Sequence, residues 1–517
     1  MADRIHITTA IHYSNGPPHL GHAYEDIAAD AYARHLRRKP GGSKLTFVTG
    51  TDEHGQKNRD AAAKENLDPK AFADKISAIF RTAFDRLEIS YTNFVRTTDP
   101  AHEAFVQKML ARTFERGDIY FRDYEGLYCV GCERFYTDKE LLPGNICPEH
   151  NQPVEFLKES NYFLKLEKYR AAIRAHLEST PGFIRPERYR NEALRMFDEP
   201  LADLCISRPK ARLDWGIELP FDDKFVTYVW YDAFWAYLSE LPDTSDAALA
   251  EVLPATEHFI GKDILKTHAV YWPAMLMAVG LPLYRRLNVH GYLTTGGSRM
   301  SKSSGNVVDP MELAEHLGPD VLRYFVLREF GYGLDGDFSE ARVIERYNAD
   351  LANDLGNLTS RVLAMTARYF NGEIQAQPGT HQSEYGPGVD YYCQQVRALS
   401  DRIEQLIDAL EFNRALEAIW QVLDAANKYI VATAPFTLAK DPANLPRVGE
   451  ILVNLCEGLR VIADSLEAFM PATSRKILDL LNVDQTTAHA PFGEGLKRGH
   501  RVKPPVPLFP RIEKPNA

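Results

Sequence analysis

The chain of 517 residues lacks the features that mark secreted and membrane proteins. Its six cysteines are too few for a disulfide-rich scaffold of this length. The longest apolar run, 269–284, contains two prolines and is shorter than the ~20 residues that a membrane-spanning helix needs. No basic start followed by an apolar segment opens the chain, so we expect neither a secretory leader nor a membrane anchor. These absences favour a cytoplasmic protein.

Positive charge is not in excess either. The chain has 60 Lys and Arg against 71 Asp and Glu, which gives a net charge of −11. This total favours solubility and, taken alone, argues against a polyanionic partner. Apolar residues make up 45% and charged residues 25%, as in ordinary globular proteins, and the length predicts several domains.

The first fifty residues alternate between strand and helix patterns. A β-branched strand is predicted over 5–11, a helix over 19–36 and a second strand over 45–50. Strands separated by a helix are typical of a Rossmann-type parallel sheet, whose ligands bind beyond the carboxyl ends of the strands. We therefore expect ligand-binding residues in the loops after Ile11 and Gly50.

The pattern then changes twice along the chain. From residue 117 the composition is rich in Tyr, Arg, Cys and Pro, which predicts an insertion, and strands at 225–229, 258–260 and 287–293 are predicted to build the second half of the sheet. Beyond residue 340 the pattern is helical. One helix is predicted to end at Asn371, and another has an apolar face that continues from Leu399 to Leu423.

The predicted fold class is α/β, with a Rossmann-type parallel-sheet domain split by a zinc-binding insertion and followed by an all-α helix-bundle domain. The predicted segments are 1–116 and 225–295 for the two halves of the sheet domain, 117–224 for the insertion, 296–340 for a loop and stem-contact region, 341–480 for the bundle, and 481–517 for a C-terminal strap.

The insertion contains a cysteine and histidine motif formed by Cys129, Cys132, Cys147 and His150. Two short ligand pairs with fourteen residues between them can supply the four donors of a tetrahedral zinc site. The protein would fill all four positions, so the single zinc ion would be structural. Three unrelated buried cysteines and a surface histidine remain the alternative.

Two further motifs favour phosphate binding. His19 and His22 enclose Gly21 at the predicted start of a helix, where N–H groups and the helix dipole favour an anion and glycine permits a close approach. Lys302 lies in a Gly- and Ser-rich stretch and can place a positive charge on a triphosphate. Taken singly, the histidines are equally well explained as helix caps, and the lysine as part of a basic surface loop.

Together these motifs resemble the two signatures of class I aminoacyl-tRNA synthetases, with Arg299 where the second signature usually begins with Lys. The chain is similar to the methionyl-tRNA synthetases of that class in the stretches 9–16, 50–55, 129–150, 229–233, 260–263 and 290–292. The resemblance implies that the chain activates L-methionine with ATP. It also implies transfer of the methionyl group to the 3′ end of methionine tRNA, initiator and elongator, for protein synthesis.

The resemblance also implies residue roles. The catalytic residues would be His19, His22 and Lys302. The same three residues would bind ATP, accompanied by Mg²⁺, together with Gly21, Gly261 and Asp263. The methionine site would comprise Ala10, Ile11, Tyr13, Asp52, Trp230, Tyr237 and His290. Asp52, at a strand end, would bind the ammonium group, although on sequence alone it is equally a turn residue.

The anticodon of the tRNA would be bound by the helix bundle. Asn357 and Arg361 are four residues apart and therefore on one helix face, where they could contact unpaired base edges. Phe436 stands where many relatives have a Trp that stacks on a base, and it offers a smaller stacking surface. Without the resemblance, Asn and Arg would be assigned to a solvated face. We expect a monomer.

Three alternatives remain open on the sequence. A small-molecule nucleotidyltransferase can share the histidine motif, but it would not need the insertion and the bundle. A non-catalytic tRNA-binding protein on the same scaffold would be expected to lose His19, His22 or Lys302, and all three are present. Isoleucyl, valyl, leucyl and cysteinyl synthetases belong to the same class, but the insertion is too short for the editing domain of the first three.

Overall fold

The computed structural model describes residues 4–39, 42–129, 134–136, 140–148, 151–299, 308–378 and 387–512. The chain divides into two compact units: the first comprises 1–29, 37–85 and 89–291, and the second comprises 30–36, 86–88 and 292–517. A search of the described helices finds none that is both long and apolar enough to cross a membrane.

The first unit contains α/β elements, and the last residues of α1 and α3 group with the second unit. In chain order the elements are β1 Ile5–Thr9, β2 His12–Tyr13, α1 Leu20–Arg37, β3 Leu45–Asp52, α2 Gln56–Lys64, α3 Pro69–Arg86, β4 Asn93–Arg96, α4 Pro100–Glu115, β5 Ile119–Cys129, β6 Arg134–Tyr136, β7 Glu155–Leu164, α5 Arg170–Ser179, β8 Ile184–Arg185, α6 Glu187–Arg195, β9 Leu204–Cys205, β10 Ser207–Pro209, β11 Glu218–Leu219, β12 Asp222–Thr227, α7 Val229–Ala233, α8 Ala236–Ser239, α9 Asp246–Val252, β13 Thr256–Gly261, α10 Trp272–Ala278 and β14 Arg286–His290.

A parallel sheet of seven described strands forms the centre of this unit. Its order is β2-β3-β1-β13-β14-β8, and β4 also pairs with β3. Both β1 and β2 pair with β3, but with different stretches of it, so the chain leaves the sheet at residues 10 and 11. The predicted parallel α/β sheet is confirmed, and the predicted strands at 258–260 and 287–293 correspond to β13 and β14.

The predicted role of strand 225–229 is wrong. Residues 222–227 form β12, which pairs antiparallel with β10 and β11 in a separate three-stranded sheet. The short β8, which lies within the predicted insertion, joins the parallel sheet beside β14 instead. A strand pattern in the sequence does not identify the strand's partner, so this assignment depended on tertiary contacts.

The second unit is largely helical. Its elements are β15 Leu293–Thr295, β16 Ser298–Arg299, α11 Pro310–Leu317, α12 Pro319–Glu329, β17 Gly336–Phe338, α13 Glu340–Arg346, a π-helical segment Tyr347–Gly356, α14 Asn357–Phe370, α15 Pro387–Asp408, α16 Phe412–Thr433, α17 Pro435–Leu438, α18 Leu445–Leu466, α19 Pro471–Leu480 and α20 Gln485–Ala488.

The boundaries of these helices confirm one prediction and correct another. Helix α14 ends at Phe370, and Asn371 takes the left-handed conformation at φ 52°, as a helix end requires. The continuous helix predicted from Leu399 to Leu423 is wrong, because the chain breaks between α15 and α16. Leu410 lies at the break with φ 60° and is buried, so its packing outweighs the helical period of the sequence.

Candidate active site

The histidine motif forms the first turn of α1. Nδ1 of His19 accepts hydrogen bonds from the N–H groups of Gly21 and His22, at 3.1 and 3.4 Å. The N–H of His19 donates to Nδ1 of His22 at 3.2 Å, and the two rings stack with 3.6 Å between centroids. Because a backbone N–H only donates, each ring carries its proton on Nε2. The helix start therefore presents two imidazole N–H donors, an arrangement suited to an anion.

Gly21 is required by this arrangement. A Cβ atom at this position would lie 2.9 Å from Cε1 of His19, closer than carbon atoms approach without a shift. The absence of a side chain therefore lets the His19 ring fold over the helix start. That Gly21 also admits a phosphate stays a prediction.

Several predicted residues lie at the carboxyl ends of neighbouring strands. Asp52, Gly261 and His290 are the last residues of β3, β13 and β14. Ala10 follows β1, and its N–H lies 3.0 Å from the Phe259 carbonyl oxygen and 2.8 Å from a Glu25 carboxylate oxygen. The sheet thus brings together residues that are more than two hundred positions apart.

Glu25 connects this edge of the sheet to His290. Its second carboxylate oxygen lies 2.9 Å from Nε2 of His290, and Nδ1 of the same ring lies 2.7 Å from the Gly291 carbonyl oxygen. Both partners accept hydrogen bonds, so the ring donates at both nitrogens and is an imidazolium. Burial opposes this charge, but Glu25 outweighs burial and raises the pKa of His290.

Gly261 and Asp263 lie beside this pair. A Cβ atom on Gly261 would lie 2.6 Å from an Asp263 carboxylate oxygen and 3.6 Å from Cε1 of His290. Only glycine allows the three groups to approach in this way. The structure therefore clusters two residues predicted for ATP with one predicted for methionine.

Aromatic residues predicted for the methionine site also lie together. The rings of Tyr13 and Trp230 meet edge to face at 6.5 Å. Burial raises the pKa of Tyr237 well above its usual value, and the carboxylates of Glu25 and Asp52 act in the same direction, as charges close to the ring do. Ile11 packs against the same core. The arrangement is an apolar wall.

His268 belongs to this cluster, and the sequence analysis did not identify it. Its Nδ1 lies 3.0 Å from the Ile264 carbonyl oxygen and must donate a hydrogen bond to it. Nε2 therefore accepts a hydrogen bond from the Tyr237 hydroxyl at 2.7 Å. Burial lowers the pKa of His268 to about 4, which agrees with a neutral ring. His268 lies seven residues after Gly261, and this closeness to the stretch 260–263 could have indicated that it belongs to the site. Glu25 was also not predicted, although it lies only three residues after His22.

The lysine of the second signature and half of the zinc motif lie outside the described residues. These residues are Lys302, Cys132 and His150. Cys129 and Cys147 are buried in one cluster with Tyr136, whose hydroxyl oxygen lies 3.6 Å from Sγ of Cys147. In the described part of the chain no three possible metal ligands group together. The two buried thiols fit two of the four predicted zinc positions.

The residues predicted for tRNA lie in the second unit. Asn357 and Arg361 share a face of α14, where Asn357 donates to the Asn353 side chain at 3.3 Å and Arg361 donates to the side-chain oxygen of Asn427. Phe436, on the short helix α17, is 51% exposed. Polar groups and an exposed ring on one helical unit can bind single-stranded bases.

Comparison with known proteins identifies the family of the chain. The family described as tRNA synthetases class I (M) matches residues 5–154 and 145–363, and the anticodon binding domain of methionyl tRNA ligase matches residues 381–517. A methionine–tRNA ligase of Caldanaerobacter subterraneus subsp. tengcongensis is 43% identical over an alignment of 517 positions, which covers 99% of this chain and 80% of the relative. One from Deinococcus radiodurans is 44% identical, over 98% of this chain and 74% of the relative.

Solved structures agree as well. The crystal structure of Mycobacterium tuberculosis methionyl-tRNA synthetase bound by methionyl-adenylate is similar with a TM-score of 0.91 and 40% identity, covering 98% of this chain and 100% of that one. The fold, the family models and relatives that match 98–99% of this chain agree. The chain therefore belongs to the methionyl-tRNA synthetases of class I.

Proposed function

We propose residue roles for the reaction of this chain, which activates L-methionine with ATP and transfers the methionyl group to the 3′ end of methionine tRNA. In the first step a methionine carboxylate oxygen bonds to the α-phosphorus of ATP, the bond to the β-phosphate breaks, and pyrophosphate leaves. The carboxylate is already ionised at neutral pH, so this step needs no general base. Catalysis then depends on alignment and on donors that stabilise charge on the phosphates.

His19 and His22 bind the phosphates of ATP in this proposal. The observation that carries it is the proton position in both rings: each Nδ1 accepts a backbone N–H, so each Nε2 is a donor at the helix start. Donors fixed before the reaction need no rearrangement when charge develops.

Lys302, Gly261 and Asp263 complete the proposed ATP site. Lys302 brings a compact positive charge to the triphosphate, which arrives with Mg²⁺. Gly261 lets Asp263 lie close to the carboxyl end of β13. A carboxylate at this edge can accept hydrogen bonds from ribose hydroxyl groups.

Asp52 binds the methionine ammonium group, and the aromatic wall binds the side chain. Sulfur contacts with aromatic rings suit a flexible thioether, and Ala10, Ile11, Tyr13, Trp230, Tyr237 and His290 are the proposed lining. His268 positions Tyr237, because its neutral ring accepts a hydrogen bond from the Tyr237 hydroxyl.

The second step joins methionine to tRNA. A ribose hydroxyl at the tRNA 3′ end, the 2′-hydroxyl by family resemblance, bonds to the carbonyl carbon of the adenylate, and AMP leaves. Asn357, Arg361 and Phe436 select the anticodon by hydrogen bonds and stacking. The negative net charge of the chain then limits only unselective attraction to RNA.

Zinc has a structural role in this proposal. Cys129, Cys132, Cys147 and His150 would hold the ion, and the buried Cys129 and Cys147 support the donor set. Bound zinc would cross-link the insertion and supply no catalytic group. A cytoplasmic location and a monomeric state belong to the same proposal, and sedimentation of the purified chain tests the latter.

Amino-acid-dependent exchange between ATP and pyrophosphate tests the activation step directly. Methionine is expected to support exchange far better than the other standard amino acids. Asp52→Asn should raise the methionine KM, because a buried ammonium would lose its counter-charge. The rise should correspond to about 2 kcal/mol or more of lost binding free energy. Asp85→Asn, an exposed change on α3, is the matched control. Equal methionine KM values for both variants would contradict the role of Asp52.

A further inference from the structure

A buried His–Asp pair lies directly behind the histidine motif. Nε2 of His12 lies 2.7 Å from a carboxylate oxygen of Asp26, and both side chains are buried. His12 belongs to β2, and Asp26 lies one helical turn after His22 in α1. The pair therefore joins the sheet to the helix that presents the proposed phosphate donors.

Asp26 is held rigidly. Its other carboxylate oxygen accepts a hydrogen bond from the Thr49 hydroxyl at 2.8 Å, and the Thr9 hydroxyl lies 3.4 Å from the same atom. These threonines come from β3 and β1. Every partner of the carboxylate is thus on a rigid element, which fixes the position of His12 as well.

The ring of His12 contacts His22. Their centroids are 4.7 Å apart, and Phe80 lies 5.5 Å from His12 and 5.4 Å from His22. His19 stacks on His22 as well. The half-buried His22 ring therefore contacts His12, Phe80 and His19, and these contacts keep Nδ1 aimed at the N–H of His19.

The charges around His12 stabilise its hydrogen bond to Asp26. Burial opposes a proton on His12, but Asp26 and, more weakly, Glu25 outweigh burial and raise the pKa of His12 above its usual value. Helix α1 faces His12 with His22, Glu25 and Asp26, and helix α3 faces it with Phe80 and Phe84. The carboxylate therefore favours the proton on Nε2 of His12 that the 2.7 Å hydrogen bond to Asp26 requires.

We infer that His12 and Asp26 are positioning residues for the activation step: as a buried hydrogen-bonded pair they hold His22 with its Nε2 donor directed to the ATP phosphates. The inference rests on the proposed role of His22. Neither residue touches the reacting atoms.

Four variants test it: Asp26→Asn, His12→Phe, His22→Asn and Asp408→Asn. Asp26→Asn preserves shape and removes the charge, and His12→Phe preserves an aromatic ring. Asp408→Asn is the matched control, because Asp408 pairs with His35 near the other end of α1 at 3.0 Å and has no proposed role. Methionyl-adenylate formation is measured in single turnovers across about pH 6 to pH 9, with ATP and methionine varied separately.

The expected result is specific to ATP. Asp26→Asn and His12→Phe should lower kcat/KM for ATP about tenfold and leave the methionine KM within about twofold. Without the carboxylate, burial dominates the pKa of His12, so the fall in rate at alkaline pH should move to lower pH in Asp26→Asn. Asp408→Asn should match the parent chain in rate and pH profile.

Two results would overturn the inference. One is an unchanged ATP dependence in Asp26→Asn and His12→Phe while His22→Asn is inactive, which leaves the role of His22 intact. The other is an equal loss for ATP and methionine, which indicates general loosening. Full activity of His22→Asn would instead refute the proposed function of that residue. If Asp26→Asn does not fold, Thr49→Val removes one support of Asp26 without changing a charge and should show the same ATP-specific loss in smaller measure.

Discussion

Nδ1 of His54 lies 2.6 Å from a carboxylate oxygen of Asp232, and both side chains are buried. The second oxygen of Asp232 lies 2.6 Å from Nε2 of His102. His54 is two residues beyond Asp52, and Asp232 is two residues beyond Trp230. One carboxylate therefore joins the loop that follows Asp52, the proposed ammonium ligand, to the helix that carries an aromatic residue of the same site.

Asp232→Asn should weaken methionine binding more than ATP binding. The variant leaves the buried His54 without its counter-charge and removes the carboxylate that His102 also contacts, so a loss of about 3–5 kcal/mol in the free energy of unfolding is also expected. Kinetics with each substrate varied, together with urea unfolding, check both effects. Asp243→Asn, which changes an exposed carboxylate in the same region, is the control. An unchanged methionine KM in a folded Asp232→Asn variant would contradict the link.

The same pair predicts a pH dependence of stability. Burial opposes a charge on His54, but Asp232 outweighs burial and raises the pKa of His54. A raised pKa means that the native state binds the proton more tightly than the unfolded chain. The contribution is complete below the usual histidine pKa and is lost as the pH rises through the raised value. The stability gap between the parent chain and Asp232→Asn should therefore be larger near about pH 6 than near about pH 9, and equal gaps would argue against the ion pair.

Lys302→Ala should lower the rate of adenylate formation by about a hundredfold or more, with little change in methionine affinity. The physical reason is that the lysine is proposed to act on charge that develops on the phosphates, where lost stabilisation appears in the rate. Single-turnover kinetics and equilibrium binding of methionine measure the two quantities. Lys70→Ala, on the exposed face of α3, is the control. A large loss of methionine affinity at an unchanged rate would oppose the phosphate role.

Arg361→Gln should impair tRNA charging without affecting activation. Its guanidinium is proposed to contact an anticodon base, so kcat/KM for tRNA should fall. The fall should correspond to a loss of about 1–3 kcal/mol of transition-state stabilisation. Arg402→Gln is the matched control, because Arg402 is an exposed arginine of the same bundle that pairs with Gln421 at 2.8 Å. Aminoacylation and pyrophosphate exchange are compared for both variants. Equal losses in both assays, or equal losses in both variants, would contradict a specific anticodon contact.

Cys147→Ala should abolish zinc binding and destabilise the insertion. Loss of one of four ligands weakens a structural zinc site strongly, because metal binding and local folding are coupled. Elemental analysis of the dialysed protein and limited proteolysis measure the effects. Cys205→Ala removes a buried cysteine of the first unit that has no proposed zinc role and controls for lost packing. Retention of about one zinc per chain in Cys147→Ala would contradict the donor set.

Local sequence was sufficient for the elements that carry the two phosphate-site histidines and Asp52. The predicted helix over 19–36 is observed as Leu20–Arg37, and the predicted strand over 45–50 begins at Leu45 as expected. Both elements follow from the short-range spacing of apolar residues and from Pro-containing turns, which limit the local conformations of the backbone. The same reasoning could not detect the break at Leu410, because a buried leucine carries no turn signal of its own.

The family, the reaction and the identities of most proposed ligands were determined by the sequence, since they depend on residue types at short spacing. Tertiary structure alone decided the partners. Glu25 meets His290, Tyr237 meets His268, and His12 meets Asp26 because the fold places their elements together. Such pairs depend on sheet order and burial, which no local pattern encodes. The carboxylates placed in this way raise the pKa of His290 and His12, whereas burial lowers the pKa of His268.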